Sequence, residues 1–278
     1  WSQKSTNWFV DIYESTFNIN PSNIQDAIKF SFKNNLNPKA IIAVDLFGLP
    51  ARYRVIDKIA KDFNLFVIED AAQSFGGVIK GKKVGSFGDV ASTSFFPAKP
   101  LGCYGDGGAI FTEDDDLALK MKSIRVHGGG KDKYSNVRLG VNGRLDTIQA
   151  AILLEKLSIF SEELNSRNNL AKYYTDNINA NFKKPYVPDR YQSAWAQYSL
   201  LAKNKKQKIE VINKMGKKGI PIMIYYKTAL HLQECFKGLG YELGKFPIAE
   251  KCSQLIFSIP MHPYLEKNQQ DLIINILN

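Results

Sequence analysis

At 278 residues, 44% hydrophobic and 23% charged, the chain has the composition of an ordinary globular protein, long enough for one large domain and a smaller second one. No apolar run is long enough to span a bilayer, and three widely spaced cysteines and three scattered histidines give neither a disulfide framework nor metal-ligand spacing. The sequence therefore predicts a cytoplasmic protein with no membrane segment and no metal.

The net charge of +10 includes lysine clusters at 203–208 and 214–218, without aromatic residues interleaved on one face. That pattern favours a solvated surface with a pull on small anions over a nucleic-acid partner. The first residues lack the basic-then-apolar order of a secretory leader.

In chain order, residues 8–12 read as a short strand with turn chemistry at 18–21. Ser22 is placed to cap a helix through residue 32, with Ile24, Ala27, Ile28 and Phe32 on one face. The nearly continuous apolar run 40–47 fits a strand buried on both faces of a parallel sheet. Gly48 and Pro50 end it, residues 53–63 return as an amphipathic helix, and 65–68 form the next strand. This short-connected unit predicts a right-handed βαβ crossover and the α/β class. A hairpin-like segment at 81–85 and strand pieces at 92–96 and 109–112 follow.

Residues 113–125 read as a helix with acids in the first turn and bases in the last, matching the helix dipole. Residues 127–142 form a long Gly- and Lys-rich loop. A long helix over 144–179 leads out of the first domain, and Pro185 and Pro188 mark the boundary. Strands at 197–202, 220–224 and 255–259 then alternate with helices at 207–217 and 268–277. The expected division is a large domain with a mainly parallel sheet (1–165) and a smaller α+β domain (166–278).

Two stretches carry chemistry. Asp70 follows a buried strand, and ligands of open parallel sheets lie beyond the carboxyl ends of the strands. Lys99 stands between Pro97 and Pro100, which keep it out of helix, and Gly102, Gly105, Gly107 and Gly108 follow it. A carboxylate and a lysine converging at one sheet edge are what pyridoxal phosphate (PLP) catalysis requires. The lysine forms a Schiff base with the aldehyde, and the acid keeps the pyridine nitrogen protonated. Once released, the amine can shuttle a proton. Ser94 is placed to offer a hydroxyl to the cofactor phosphate. On these residues alone, Asp70 as a helix cap and Lys99 as a surface lysine stay open.

The stretches VIEDAAQSFGG, TSFFPAKPLGCYGDGGAIFT and GVNGRLDTIQAAILLEKL resemble, in order and spacing, the DegT-type sugar aminotransferases. These are PLP-dependent enzymes of the aspartate-aminotransferase-like fold. The wording FFPAKPLGCYGDGGA is most similar to members that aminate UDP-linked 3-keto sugars for bacterial surface polysaccharides. The resemblance implies that Lys99 is the Schiff-base lysine and Asp70 the partner of the pyridinium nitrogen. It further implies that Ala71 packs on the ring, Gln73 bonds near the phenolic oxygen and Ser94 binds the phosphate. Asn142 would cross a homodimer interface to the partner's cofactor phosphate, and Arg144 would face the sugar nucleotide. Plainer roles remain for Arg144, as an ion-pair partner of Asp146 or Glu155, and for Gln73, as a helix cap.

Within 224–231, Tyr226 and His231 match substrate positions, but Tyr225 stands where the family usually has a histidine, and both prolines are replaced. The implied reaction moves an amino group, from glutamate, to a keto group of a nucleotide-linked sugar. Members also carry a segment before the position of Trp1 that completes the cofactor cradle. The resemblance therefore implies a fragment that binds PLP weakly or not at all. A sugar dehydratase of the same fold would carry histidine at Lys99. A non-catalytic binding or regulatory protein is the remaining reading.

Overall fold

The computed structural model describes residues 7–132 and 134–278. The expectations placed on residues 1–6, at Trp1 and at the start of the leader reading, lie outside the described residues.

Helix α1 (Pro21–Lys33) is capped by Asn20 rather than Ser22: the Ser22 N–H donates to Asn20 Oδ1, and proline takes the first helical position, where a missing N–H costs nothing. Strand β1 (Ala40–Val44) runs through a tight turn at Leu46–Gly48 to α2 (Tyr53–Phe63). Tyr53, Ile56, Ile59 and Ala60 give α2 its buried face. Asn64, left-handed at φ 51°, ends it. Then come β2 (Phe66–Asp70), the hairpin β3 (Val78–Ile79) and β4 (Lys82–Lys83), β5 (Val90–Ser94) and β6 (Gly108–Phe111). The main sheet has the order β1–β2–β5–β6, parallel except for β6. The expected α/β architecture is present.

Register decides what the sheet shows to each side. Ile41, Ala43 and Val67 pack with Ile24, Ile28, Tyr53 and Ile56 in one cluster. On the other face Ile42, Val44, Phe66 and Ile110 are 57%, 38%, 59% and 58% exposed. Burial of β1 on both faces is thus corrected: apolar residues occupy both faces, but the described residues cover only one. Asp70 lies on the open face, paired in register with Val44 and Ser92.

Helix α3 (Asp115–Arg125), capped by Asp114, buries no side chain. Helix α4 (Thr147–Asn177) serves two cores. Leu153 and Phe160 join Phe95, Leu101 and Cys103, whereas Ala171 and Tyr174 join Tyr198, Leu200, Phe257 and Ile273. Beyond it lie β7 (Tyr191–Gln192), which pairs with β3, and β8 (Tyr198–Leu201). Next come α5 (Lys205–Lys217), α6 (Pro247–Leu255), β9 (Ile256–Ile259), antiparallel to β8, and α7 (Lys267–Leu277).

Two expected strands are corrected. Residues 8–12 contribute only the bridge Ile12–Ile19, and 220–224 only the bridge Met223–Ser258, because neither segment runs long enough beside a partner to build a ladder. Helix α6 was not expected. Among the described residues no helix is long and apolar enough to cross a membrane.

Candidate active site

A cavity of about 870 Å³ takes in part of the uncovered face of the sheet, at Ile42, Val44 and Asp70. Asp70, at the tip of β2, and Lys99, on the β5–β6 loop, both line it, as do Ala72, Gln73, Tyr225, Tyr226 and His231. Strand alternation separates neighbours here. Glu69 turns to the covered face and accepts the Gly85 and Phe87 N–H groups at 2.7 and 2.9 Å, while Asp70 faces the cavity.

The loop bearing Lys99 is a tight turn. The Lys99 N–H donates to the Phe96 carbonyl at 2.9 Å, and the chain then returns so closely at Gly102 that a Cβ would sit 2.6 Å from that same oxygen. Lys99 is half-buried and forms no salt bridge among the described residues. Burial holds its ammonium below the usual lysine range, while the Asp70 charge pulls the other way. Asp70 keeps one oxygen, Oδ1, on the Ala72 N–H at 3.1 Å.

Gln73, 9% exposed, is held at both ends of its amide. The Phe47 N–H donates to Oε1 at 2.6 Å, and Nε2 donates to the Tyr226 hydroxyl at 3.3 Å. The helix-cap reading of Gln73 is replaced by this bridge between two loops.

Ala71 is 1% exposed, its N–H bonded to Ser92 O, and it does not line the cavity; Ala72 takes that place. The physical reason is the same alternation that turns Asp70 inward. Ser94 accepts the Phe96 N–H at 3.2 Å and lies outside the cavity lining. Asn142 and Arg144 are exposed, away from this chain's own cavity, and the Arg144 Nε donates to Asn142 Oδ1 at 3.2 Å rather than pairing with Asp146 or Glu155.

Tyr226 reaches the cavity. His231 lines it but is 3% exposed, with Nε2 3.0 Å from Glu250 Oε1. Burial opposes ionisation of Glu250, yet the Gly244 and Phe246 N–H groups and His231 outweigh it and hold that carboxyl below its usual range. Asp45, behind the cavity wall, was not singled out from the sequence; the only available signal was a carboxylate inside the apolar run 40–47.

The sequence profile of the DegT/DnrJ/EryC1/StrS aminotransferase family matches residues 2–278. The chain belongs to this family. It is 41% identical to a UDP-2-acetamido-2-deoxy-3-oxo-D-glucuronate aminotransferase of Pseudomonas aeruginosa, over 93% of this chain and 68% of that one. It is 42% identical to a pleiotropic regulatory protein of Geobacillus stearothermophilus, over 96% and 70%. The crystal structure of a family member from Brucella abortus superposes with a TM-score of 0.92 at 47% identity, over 97% of this chain and 72% of that one.

DegT-family enzymes depend on PLP. A Bacillus subtilis structure with bound cofactor PMP, 26% identical, matches 97% of this chain and 61% of its own at a TM-score of 0.84. The residues present here fit that group. Among the described residues, an amine free of salt bridges and a strand-tip carboxylate face one cavity, and Ala72 adds only a small side chain to its wall.

Proposed function

We propose that the protein transfers an amino group, from glutamate, to the keto group of a nucleotide-linked sugar, within a cytoplasmic pathway that builds amino sugars for surface polysaccharide. The observation that carries this reading is the convergence of Asp70, from the end of β2, and Lys99, from the β5–β6 loop, on one cavity. The substrate class rests on the 3-oxo sugar nucleotide in the name of the Pseudomonas relative.

When bound, PLP supplies an aldehyde that exchanges amino groups and a ring that takes up electrons. Lys99 would hold it through Nζ, and the lowered ammonium pKa favours the neutral amine that such bonding needs. In both half-reactions Lys99 Nζ would carry the proton between carbon atoms. The Asp70 carboxylate would stand against the ring nitrogen and keep its proton in place. Ala72 leaves room on one side of the ring, and Gln73 fixes the Tyr226 hydroxyl at the substrate side. Ser94 and, from a partner subunit, Asn142 are proposed for the phosphate, and Arg144 for the sugar nucleotide. Arg144 offers the forked guanidinium that suits a diphosphate.

A homodimer belongs to this reading. Asn142 and Arg144 do not line their own cavity, and exposed apolar residues stand on either side of them in the chain: Leu139, Ile148 and Leu154 are 76%, 74% and 68% exposed. The division into a large domain and a smaller one near the middle of α4 is likewise proposed, supported by the two cores that this helix joins.

Glutamate alone tests the activity. Added to the PLP-loaded native protein, it should convert the visible absorbance and release one 2-oxoacid per site. The name of the Geobacillus relative favours a regulatory reading, in which glutamate leaves the absorbance unchanged.

A further inference from the structure

We propose that Asp45, which lies outside the cavity lining, is a positioning residue that holds the segment 71–77, and with it Ala72 and Gln73, against the end of β1. The inference rests on the cofactor-binding reading of this cavity given above.

Asp45 is fully buried and makes three side-chain hydrogen bonds. Two come from its own stretch of chain: the Ala51 N–H and the Tyr53 hydroxyl both donate to Oδ1 at 2.8 Å. The third crosses to the next strand's loop, where the Ser74 hydroxyl is hydrogen-bonded to Oδ2 at 2.7 Å. A carboxylate that merely closed the β1–α2 turn would need only the first two. Ser74 is also fully buried and central to its loop, its N–H bonded to Ala71 O and its carbonyl to the Gly77 N–H at 2.7 Å.

The tie is reciprocal. Ser74 follows Gln73, whose Oε1 accepts the Phe47 N–H, and Phe47 follows Asp45 by two residues. Each strand-end segment therefore reaches across to the other, directly beyond the paired residues Val44 and Asp70. The Asp45 N–H extends the ladder by one further bond, to Asp70 O at 3.0 Å.

The receiving turn is rigid. Phe47 is left-handed at φ 60°, a conformation that persists only when its surroundings over-determine it. Gly48, at φ 100°, packs so closely that a Cβ would lie 2.7 Å from the Trp195 nitrogen. Its carbonyl accepts the Ala194 N–H at 2.9 Å. Asp45 thus fastens a loop that faces the cavity to a turn that the rest of the molecule already holds.

The test uses the native protein with Ser74→Ala, Asp45→Ala, Asp45→Asn and, as a control, Tyr53→Phe. Amide exchange over 45–48 and 71–77 is read without cofactor; PLP affinity and the position of the visible band are read with it. Ser74→Ala and Asp45→Ala should speed exchange in both segments and weaken PLP binding by about tenfold, with a displaced band. Asp45→Asn should stay close to native, because its amide can donate to the Ser74 hydroxyl. Tyr53→Phe should keep PLP affinity within about twofold.

The proposal is overturned if Ser74→Ala lowers only the melting temperature, leaving exchange at 71–77 and the PLP band unchanged. It is equally overturned if Asp45→Asn loses as much as Asp45→Ala. A native protein that shows no PLP band would refute the functional reading instead, and the exchange of 71–77 would still decide whether Asp45 holds that loop.

Discussion

That Lys99 and Asp70 converge on one cavity was legible because their neighbours constrain them: two prolines shape the lysine's loop, and a strand ends at the acid. Ala71 was misplaced because a motif gives the order of residues but not which side of a pleat each one faces. For Lys99, burial predicts that the pH dependence of PLP capture has its inflection below the ordinary lysine range. A stopped-flow pH profile checks this, and an inflection at the ordinary value would contradict it. Lys99→Ala should slow the glutamate half-reaction by about 10²–10⁴-fold or more, measured by single-turnover absorbance.

Asp45 gives a pH prediction of definite sign. Its carboxyl is pushed from 3.8 up to about 8, first by burial and then by the charge of Glu69. Between those values the folded protein keeps a proton that the unfolded chain has released. With Oδ1 accepting twice, that proton lies on Oδ2 and is donated to the Ser74 hydroxyl, which donates back only once the carboxyl ionises. The stability tied to this group is therefore fully present below about pH 4 and falls as pH rises towards 8. The native urea midpoint should decline relative to that of Asp45→Asn between pH 5 and 8, and parallel midpoints would contradict this. His231 is engaged with a buried carboxylate, so His231→Ala should cost about 1–3 kcal/mol of stability, read from urea unfolding, by removing one of the donors to Glu250, which keeps only the Gly244 and Phe246 N–H groups.

Among the elements, helices were the most readable, since their caps and periodicity are local. The helices found at 53–63, 205–217 and 267–277 lie within two residues of the expected bounds. Strands were less so. The run 40–47 is apolar throughout, yet β1 stops at Val44 and shows alternate side chains to the open face, because burial depends on partners the strand's own sequence does not name. The bridge at 73–47–226 was equally unreadable: it joins loops 26 and 153 residues apart. The exposed apolar residues of 137–154 make their own prediction. Leu139→Asp combined with Ile148→Asp should turn a dimer into a monomer in light scattering and reduce PLP retention, whereas an unchanged mass would remove this surface from the interface.

For the molecule as a whole, composition and motif order were enough for the α/β class and the family, because both are distributed over nearly the entire chain. What composition could not show is how the cavity is furnished. Among the described residues that line it, Lys99 is the only lysine or arginine, so a phosphate there gains no second fixed cation. This cavity should accordingly hold PLP weakly, and equilibrium titration measures it. Weak binding still permits trapping at saturating cofactor.

The most direct measurement is borohydride reduction with saturating PLP, followed by peptide mapping. The phosphopyridoxyl group should sit on Lys99 and be absent from Lys99→Ala. A label spread over surface lysines, with Lys99 unmodified in the folded protein, would contradict the assignment of this cavity as the catalytic site.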